Sequence, residues 1–160
     1  MNLIQPIDEQ PHFFDDFAKG HVYRFGDEPV TEDAIIAFGR SFDMLPFHVD
    51  AEAAKRSVFG GLVASGWHTS ALMMRMLVRH FLSPEGVLAS PGIDTIRWTA
   101  SVRPDDRLSM KLTIAKAEKS ASKPDRGRVL FDIEILNQDQ AIVMTATAIT
   151  IYRTAPSSGR

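Results

Sequence analysis

Asp43-Met44-Leu45-Pro46-Phe47-His48 and, ten residues further on, Phe59-Gly60-Gly61-Leu62-Val63-Ala64-Ser65-Gly66-Trp67-His68 decide how this chain is read. The first segment sets a carboxylate and an imidazole on one short loop. Pro46 fixes its own φ and disfavours α geometry at Leu45, which predicts a rigid, non-helical turn. The second segment is a glycine-rich turn, a tight bend or a close backbone approach, that feeds a long apolar run. Ser65 is a good N-cap type, and a helix is predicted from there to about Leu82, roughly 25 Å long at 1.5 Å per residue. Trp67, Ala71, Leu72, Met73, Met74, Met76, Leu77, Val78 and Phe81 cover most of its circumference, and only Arg75 and Arg79 leave a narrow polar stripe. Such a helix is expected to be buried nearly all round. A carboxylate–imidazole pair beside a helix N-terminus can move a proton on a substrate whose carbonyl is held by backbone N–H groups.

Working outward, residues Met1 to Gly20 mix prolines and acidic residues with Phe13, Phe14 and Phe17, and read as an irregular arm whose phenylalanines pack on the body. His21 to Phe25 alternates as a strand, which Gly26-Asp27-Glu28-Pro29 is expected to end as a turn. Thr31 should cap a short helix that stops near Gly39 to Ser41, and Asp50 a helical turn over Ala51 to Lys55. Beyond Ser83-Pro84-Glu85-Gly86 come four strand-like runs. Ile93 to Val102 is the first. Leu108, Met110, Leu112 and Ile114 alternate in the second, and Val129, Phe131, Ile133 and Ile135 in the third. The fourth, Ala141 to Tyr152, is apolar on both faces and suits a central or interface strand. This order predicts an α+β domain whose mainly antiparallel sheet curls around one helix. The expected organisation is an arm over residues 1–19, a single domain over 20–153 and a disordered tail over 154–160. One sheet covers part of the helix only, so a homodimer joining two sheets is expected.

The chain has 160 residues, enough for a real core, and is 44% hydrophobic and 24% charged, as soluble globular proteins are. A net charge of −2 argues against a nucleic-acid surface. The absence of cysteine excludes disulfides, a thiolate nucleophile and cysteine-ligated metal, and fits a reducing cytoplasm, the expected location. There is no signal-peptide pattern and no apolar run long enough to span a membrane, so no membrane partner is expected.

Asp43…Pro46-Phe47-His48-Val49-Asp50 together with Phe59 to His68 resembles the MaoC-like acyl dehydratase family, which includes the (R)-specific enoyl-CoA hydratases. The resemblance runs from about Gly20 to Tyr152. It implies the hot-dog fold and the hydration or dehydration of an enoyl or 3-hydroxyacyl thioester. It implies that Asp43 and His48 are the acid/base pair, holding the water that adds to or leaves the β-carbon and managing the α-proton. It implies that the Gly66 N–H binds the thioester carbonyl, and that Phe59, Gly60, Gly61, Ser65 and Trp67 line the substrate site. No cofactor is implied beyond the thioester's own coenzyme A or acyl carrier protein, and a homodimer or dimer of dimers is. The chain departs from many hydratases at Leu45, where they carry Asn, and at Met74, where some carry Ser. Both changes make the site less polar.

Beside the resemblance, the residues leave alternatives. Asp43 could merely cap its loop, and His48 could be a satisfied loop histidine. Gly60 and Gly61 could be purely conformational. Met73, Met74 and Met76 could be core or an adaptable wall for an acyl chain. Arg97, Arg103 and Arg126 could meet coenzyme A phosphates or only solvate the surface. Asp43, His48 and His68 lack the usual spacing of a metal site, and none is expected. Two other functions fit the same fold: an acyl-CoA thioesterase in which Asp43 aims water at the carbonyl, and a non-catalytic subunit that binds acyl thioesters.

Overall fold

The computed structural model describes residues 4–5 and 11–156; residues 1–3, 6–10 and 157–160, parts of the expected arm and tail, lie outside the described residues. Alternating runs make the sheet. Strands β1 (Ile4–Gln5), β2 (Val22–Pro29), β3 (Val87–Trp98), β4 (Arg107–Lys119), β5 (Arg126–Leu136) and β6 (Ile142–Arg153) lie in the order β1-β2-β4-β5-β6-β3. All pairings are antiparallel except the two-residue β1–β2 contact. Leu108, Met110, Leu112 and Ile114 of β4 and Val129, Phe131, Ile133 and Ile135 of β5 are each at most 1% exposed, so the period-two pattern selects the inner face. The pairing Leu112↔Ile133 and Ile114↔Phe131 puts those side chains beside one another across the ladder.

β6 is apolar on both faces because it is central: β5 pairs with one edge and β3 with the other. Its inner side chains Met144, Ala146, Ala148 and Tyr152 are buried, and so are Val143 and Ile149 of the opposite face. The long helix, Gly66–His80, packs Leu72, Met73, Met76 and Leu77 into the same core. The arm contributes Phe14 and Phe17, both buried, with the Phe17 ring 4.6 Å from Tyr152 and 6.3 Å from Phe81. The result is an α+β fold with an antiparallel sheet curled around one helix. At the other end of the chain Thr154 N–H donates to the Asp125 carbonyl (2.9 Å) and Ala155 N–H to Asp15 Oδ2 (3.1 Å), which ties the start of the tail to the body.

Four local expectations are corrected. Gly26-Asp27-Glu28-Pro29 does not turn. It continues β2 through a bulge between Phe25 and Glu28, made possible by the positive φ (88°) of Gly26. The bulge carries the Glu28 side chain inward, 6% exposed, where Arg75 NH2 (2.7 Å) and Arg79 NH1 (3.0 Å) donate to its two oxygens. The narrow polar stripe of Arg75 and Arg79 therefore staples the central helix to the sheet. That helix is also not covered all round: Trp67 (60%), Met74 (44%) and Val78 (59%) recur along one exposed face with Ala71. β3 begins six residues earlier than expected and stops at Trp98, because Thr99 N–H and Ala100 N–H both fall on the Val143 carbonyl and end the ladder. Lastly, Pro46 opens a turn of helix, as described next.

Candidate active site

Three short helices precede the long one. Thr31 Oγ1 accepts the Ala34 N–H (3.2 Å) and starts α1, Glu32–Phe42. Asp43 is its C-cap. Leu45 is extended (φ −77°, ψ 142°), as a residue before proline must be, but Pro46 stands at N1 of one helical turn, α2, Pro46–Val49. Proline's missing N–H is no loss there, so it begins a helix where the sequence reading had it exclude one. Asp50 Oδ1 accepts the Glu52 and Ala53 N–H groups and starts α3, Ala51–Lys55. Gly39 lets α1 and α2 approach: a Cβ there would lie 2.8 Å from Val49 Cγ1 and 2.9 Å from the His48 carbonyl oxygen. The Ser57-to-Gly60 turn follows, with Gly60 at φ +67°. Ser65 then caps α4, Gly66–His80, accepting the Trp67 N–H on Oγ (3.2 Å).

These elements bring the carboxylate and imidazole together. His48 Nε2 lies 3.4 Å from Asp43 Oδ2, with the imidazole 8% and the carboxylate 24% exposed. His48 Nδ1 is 2.7 Å from the Val63 carbonyl. A carbonyl only accepts, so Nδ1 carries the proton and, in the neutral ring, Nε2 presents its lone pair towards Asp43. Ser65 Oγ–H donates to the same Asp43 Oδ2 (2.7 Å). The Val63 N–H bonds the Phe47 carbonyl (3.1 Å) and the Ala64 N–H bonds the Val102 carbonyl (2.8 Å). These bonds lock α2, the approach to α4 and the segment after β3 into one frame.

A cavity of about 390 Å³ opens against this frame. His48, Phe47, Phe59, Gly66 and Thr69 line it on one side, and Trp98 to Val102 on the other. Gly66 is at N1 of α4, so its N–H is one of the donors a helix leaves unpaired. It must be glycine, because a Cβ would fall 2.5–2.9 Å from three atoms of the Trp98 indole. Trp98 is held in turn by its Nε1–H on Ser70 Oγ (3.3 Å) and by the edge of Trp67, 5.2 Å between ring centroids.

The expected site residues therefore divide. His48, Gly66 and Phe59 line the cavity; Asp43 does not, and reaches it only through His48, 3.4 Å away. Gly60 and Gly61 form the adjoining turn, where Arg103 NH2 donates to the Phe59 carbonyl (2.7 Å). Ser65 is 1% exposed and turned to Asp43, and Trp67 lies outside against Trp98. Met74 projects from the exposed face of α4 and takes no part in the cavity. Leu45 is half-exposed and contributes its carbonyl to the His48 N–H (2.9 Å). His68 points away, stacked on Phe38 (4.9 Å, 10°) with a buried Nδ1 that has no hydrogen-bond partner among the described residues. Burial, and secondarily the Arg75 charge, push its pKa down, so the ring is neutral. Sequence reasoning missed Trp98 and the Thr99–Ser101 wall. Their signal was weak, because only the early end of β3 brings them over Gly66. Among the described residues no group of three or more His, Cys, Asp or Glu is placed to hold a metal ion, and no helix is long and apolar enough to cross a membrane.

The chain was compared with known proteins. The family model described as MaoC like domain matches residues 16–129. The crystal structure of a MaoC-like dehydratase from Rhodospirillum rubrum superposes with a TM-score of 0.84 at 39% identity, over 90% of this chain and 98% of that one. An uncharacterized Bacillus subtilis protein, YdeM, is 27% identical over 130 residues, covering 81% of this chain and 90% of its own. The unliganded R-hydratase PhaJ1 of Pseudomonas aeruginosa has a TM-score of 0.66 at 20% identity, over 93% of this chain and 94% of that one, a likeness of fold alone.

Proposed function

The chain belongs to the MaoC-like domain family, and on that premise we propose that it hydrates and dehydrates enoyl and 3-hydroxyacyl thioesters. The observation that carries the reading is the placement of the His48 Nε2–Asp43 Oδ2 pair (3.4 Å) beside the cavity that Gly66 also lines. Hydration needs three things: a base for water, a proton for the α-carbon, and a stabiliser for charge on the carbonyl oxygen. A water between His48 Nε2 and the Asp43 carboxylate gives up a proton to the pair as its oxygen bonds the β-carbon. The pair delivers a proton to the α-carbon, and dehydration reverses both transfers. The Gly66 N–H and the positive end of α4 receive the developing enolate oxygen. Such an oxyanion donor is typically worth about 3–4 kcal/mol. No metal or redox cofactor enters this chemistry.

The carrier is coenzyme A or an acyl carrier protein. The exposed α4 face and the position of β3 at the edge of the described sheet both suit a second copy of the chain, so a homodimer belongs to this reading. A cytoplasmic location goes with this reading. The test is hydration of crotonyl-CoA by wild type, Asp43→Asn and His48→Ala. Each substitution should lower kcat by about 10²–10⁴, the usual worth of a positioned acid/base group. Full activity in either variant would refute the assignment. Release of free thiol in place of hydration would favour a thioesterase.

A further inference from the structure

Asp43 stands where a carboxylate should be uncomfortable. It is the C-cap of the 11-residue helix α1, at the negative end of that helix's dipole. His48 is the one charged or titratable side chain within ion-pairing distance of its carboxylate among the described residues. What compensates comes from the opposite side. Ser65 Oγ accepts the Trp67 N–H at the positive end of α4, and its own O–H donates to Asp43 Oδ2 (2.7 Å), the oxygen that also faces His48. At 1% exposure Ser65 is closed off from bulk solvent. A serine that only capped α4 would leave its proton free for solvent or for a nearby carbonyl. This one spends it on the acid/base carboxylate, one residue before Gly66.

We infer that Ser65 is a positioning residue for the reaction: it fixes the Asp43 carboxylate against His48 and ties it to the helix start that carries the oxyanion donor. The inference rests on the hydration reading given above. It assigns Ser65 no contact with substrate. Without that donor the carboxylate is free to turn from His48, so kcat should fall while KM stays close to wild type.

The experiment uses the full chain and crotonyl-CoA, with kcat and KM measured separately for wild type, Ser65→Ala, Ser65→Thr and Ser65→Gly, and thermal melting of each. Ser65→Gly keeps a tolerated cap, cannot donate to Asp43 and adds no charge beside it, which separates a cap from a positioning group. Loss of a charge-assisted hydrogen bond is worth roughly a factor of ten or more. Ser65→Ala and Ser65→Gly should therefore fall at least about tenfold in kcat at neutral pH, with KM little changed and Ser65→Thr close to wild type. Wild-type kcat in the Ser65→Gly variant would overturn the inference. So would an equal loss in all three variants that follows the loss of melting temperature, which would mark a purely structural serine. If wild type itself turned over no enoyl thioester, the hydration reading would fail first, and the two failures are distinguishable.

Discussion

Replacing Gly39 by alanine should destabilise this protein, against the ordinary rule. In the middle of a helix alanine is usually better than glycine by about 1 kcal/mol, because glycine loses more backbone entropy on folding. Gly39 is inside α1, so a chain with nothing packed there would gain. Here the added methyl would lie 2.8 Å from Val49 Cγ1, 2.9 Å from the His48 carbonyl oxygen and 3.1 Å from His48 Cβ. One of those neighbours is backbone and cannot rotate aside. Overpacking of this kind costs about 1–3 kcal/mol, and two contacts under 3 Å place it towards the upper end. Set against the propensity gain, the net loss is about 1–2 kcal/mol. For a domain of this size that is roughly 2–8 °C in Tm. Thermal unfolding by circular dichroism, checked by urea midpoints at constant m, measures it. The relaxation has to come from α2, which carries His48, and displacements near 1 Å can cost about a hundredfold in rate. kcat on crotonyl-CoA should therefore drop beyond what the lost stability explains. A Gly39→Ala protein that melts at or above the wild-type temperature, with unchanged kcat, would refute the packing argument that holds α1 and α2 together.

His68 sets an acid limit on stability. Its folded pKa is lowered by burial and by Arg75, so its stabilising share is present above the unfolded value of about 6.5 and is lost as pH falls below it. His68→Phe keeps the stack on Phe38 and should flatten the fall of Tm between pH 6.5 and 5; an unchanged slope would mean that other groups govern it. Tyr152 does the converse. Burial raises its phenol, only partly opposed by the Ser83 backbone, so stability is full below about pH 10 and falls above it as the unfolded phenol ionises. Glu28→Gln removes a buried carboxylate from Arg75 and Arg79; with both arginines half in solvent the loss should be about 2 kcal/mol, read as a lower urea midpoint.

Much of this was legible because local chemistry decides it. Thr31, Asp50 and Ser65 cap as their residue types suggest, and the alternation through Leu108–Ile114 and Val129–Ile135 fixes the inner face. The misreadings share one cause, a local signal overridden by a distant partner. Gly26 to Pro29 has turn chemistry, but Arg75 and Arg79, nearly fifty residues on, draw Glu28 inward and keep the strand running. Pro46 breaks a helix only when one precedes it, and Leu45 ends no helix here. The apolar circumference of α4 overstated its burial, since Trp67, Met74 and Val78 face outward. In the site, Asp43, His48 and Gly66 could be named from spacing and resemblance. The Ser65 hydroxyl on Asp43 Oδ2, and the Trp98 indole over Gly66, depend on contacts 22 and 32 residues apart in sequence, which no local pattern carries.

The central claim is that water adds across an enoyl thioester at this cavity. The measurement that meets it is loss of the enoyl-thioester absorbance with crotonyl-CoA and a short panel of longer and branched enoyl-CoAs, recorded with a thiol-reactive dye present. Loss of the band without thiol release, abolished in Asp43→Asn, is the result expected. An unchanged band with every thioester, in protein verified as folded, would contradict it.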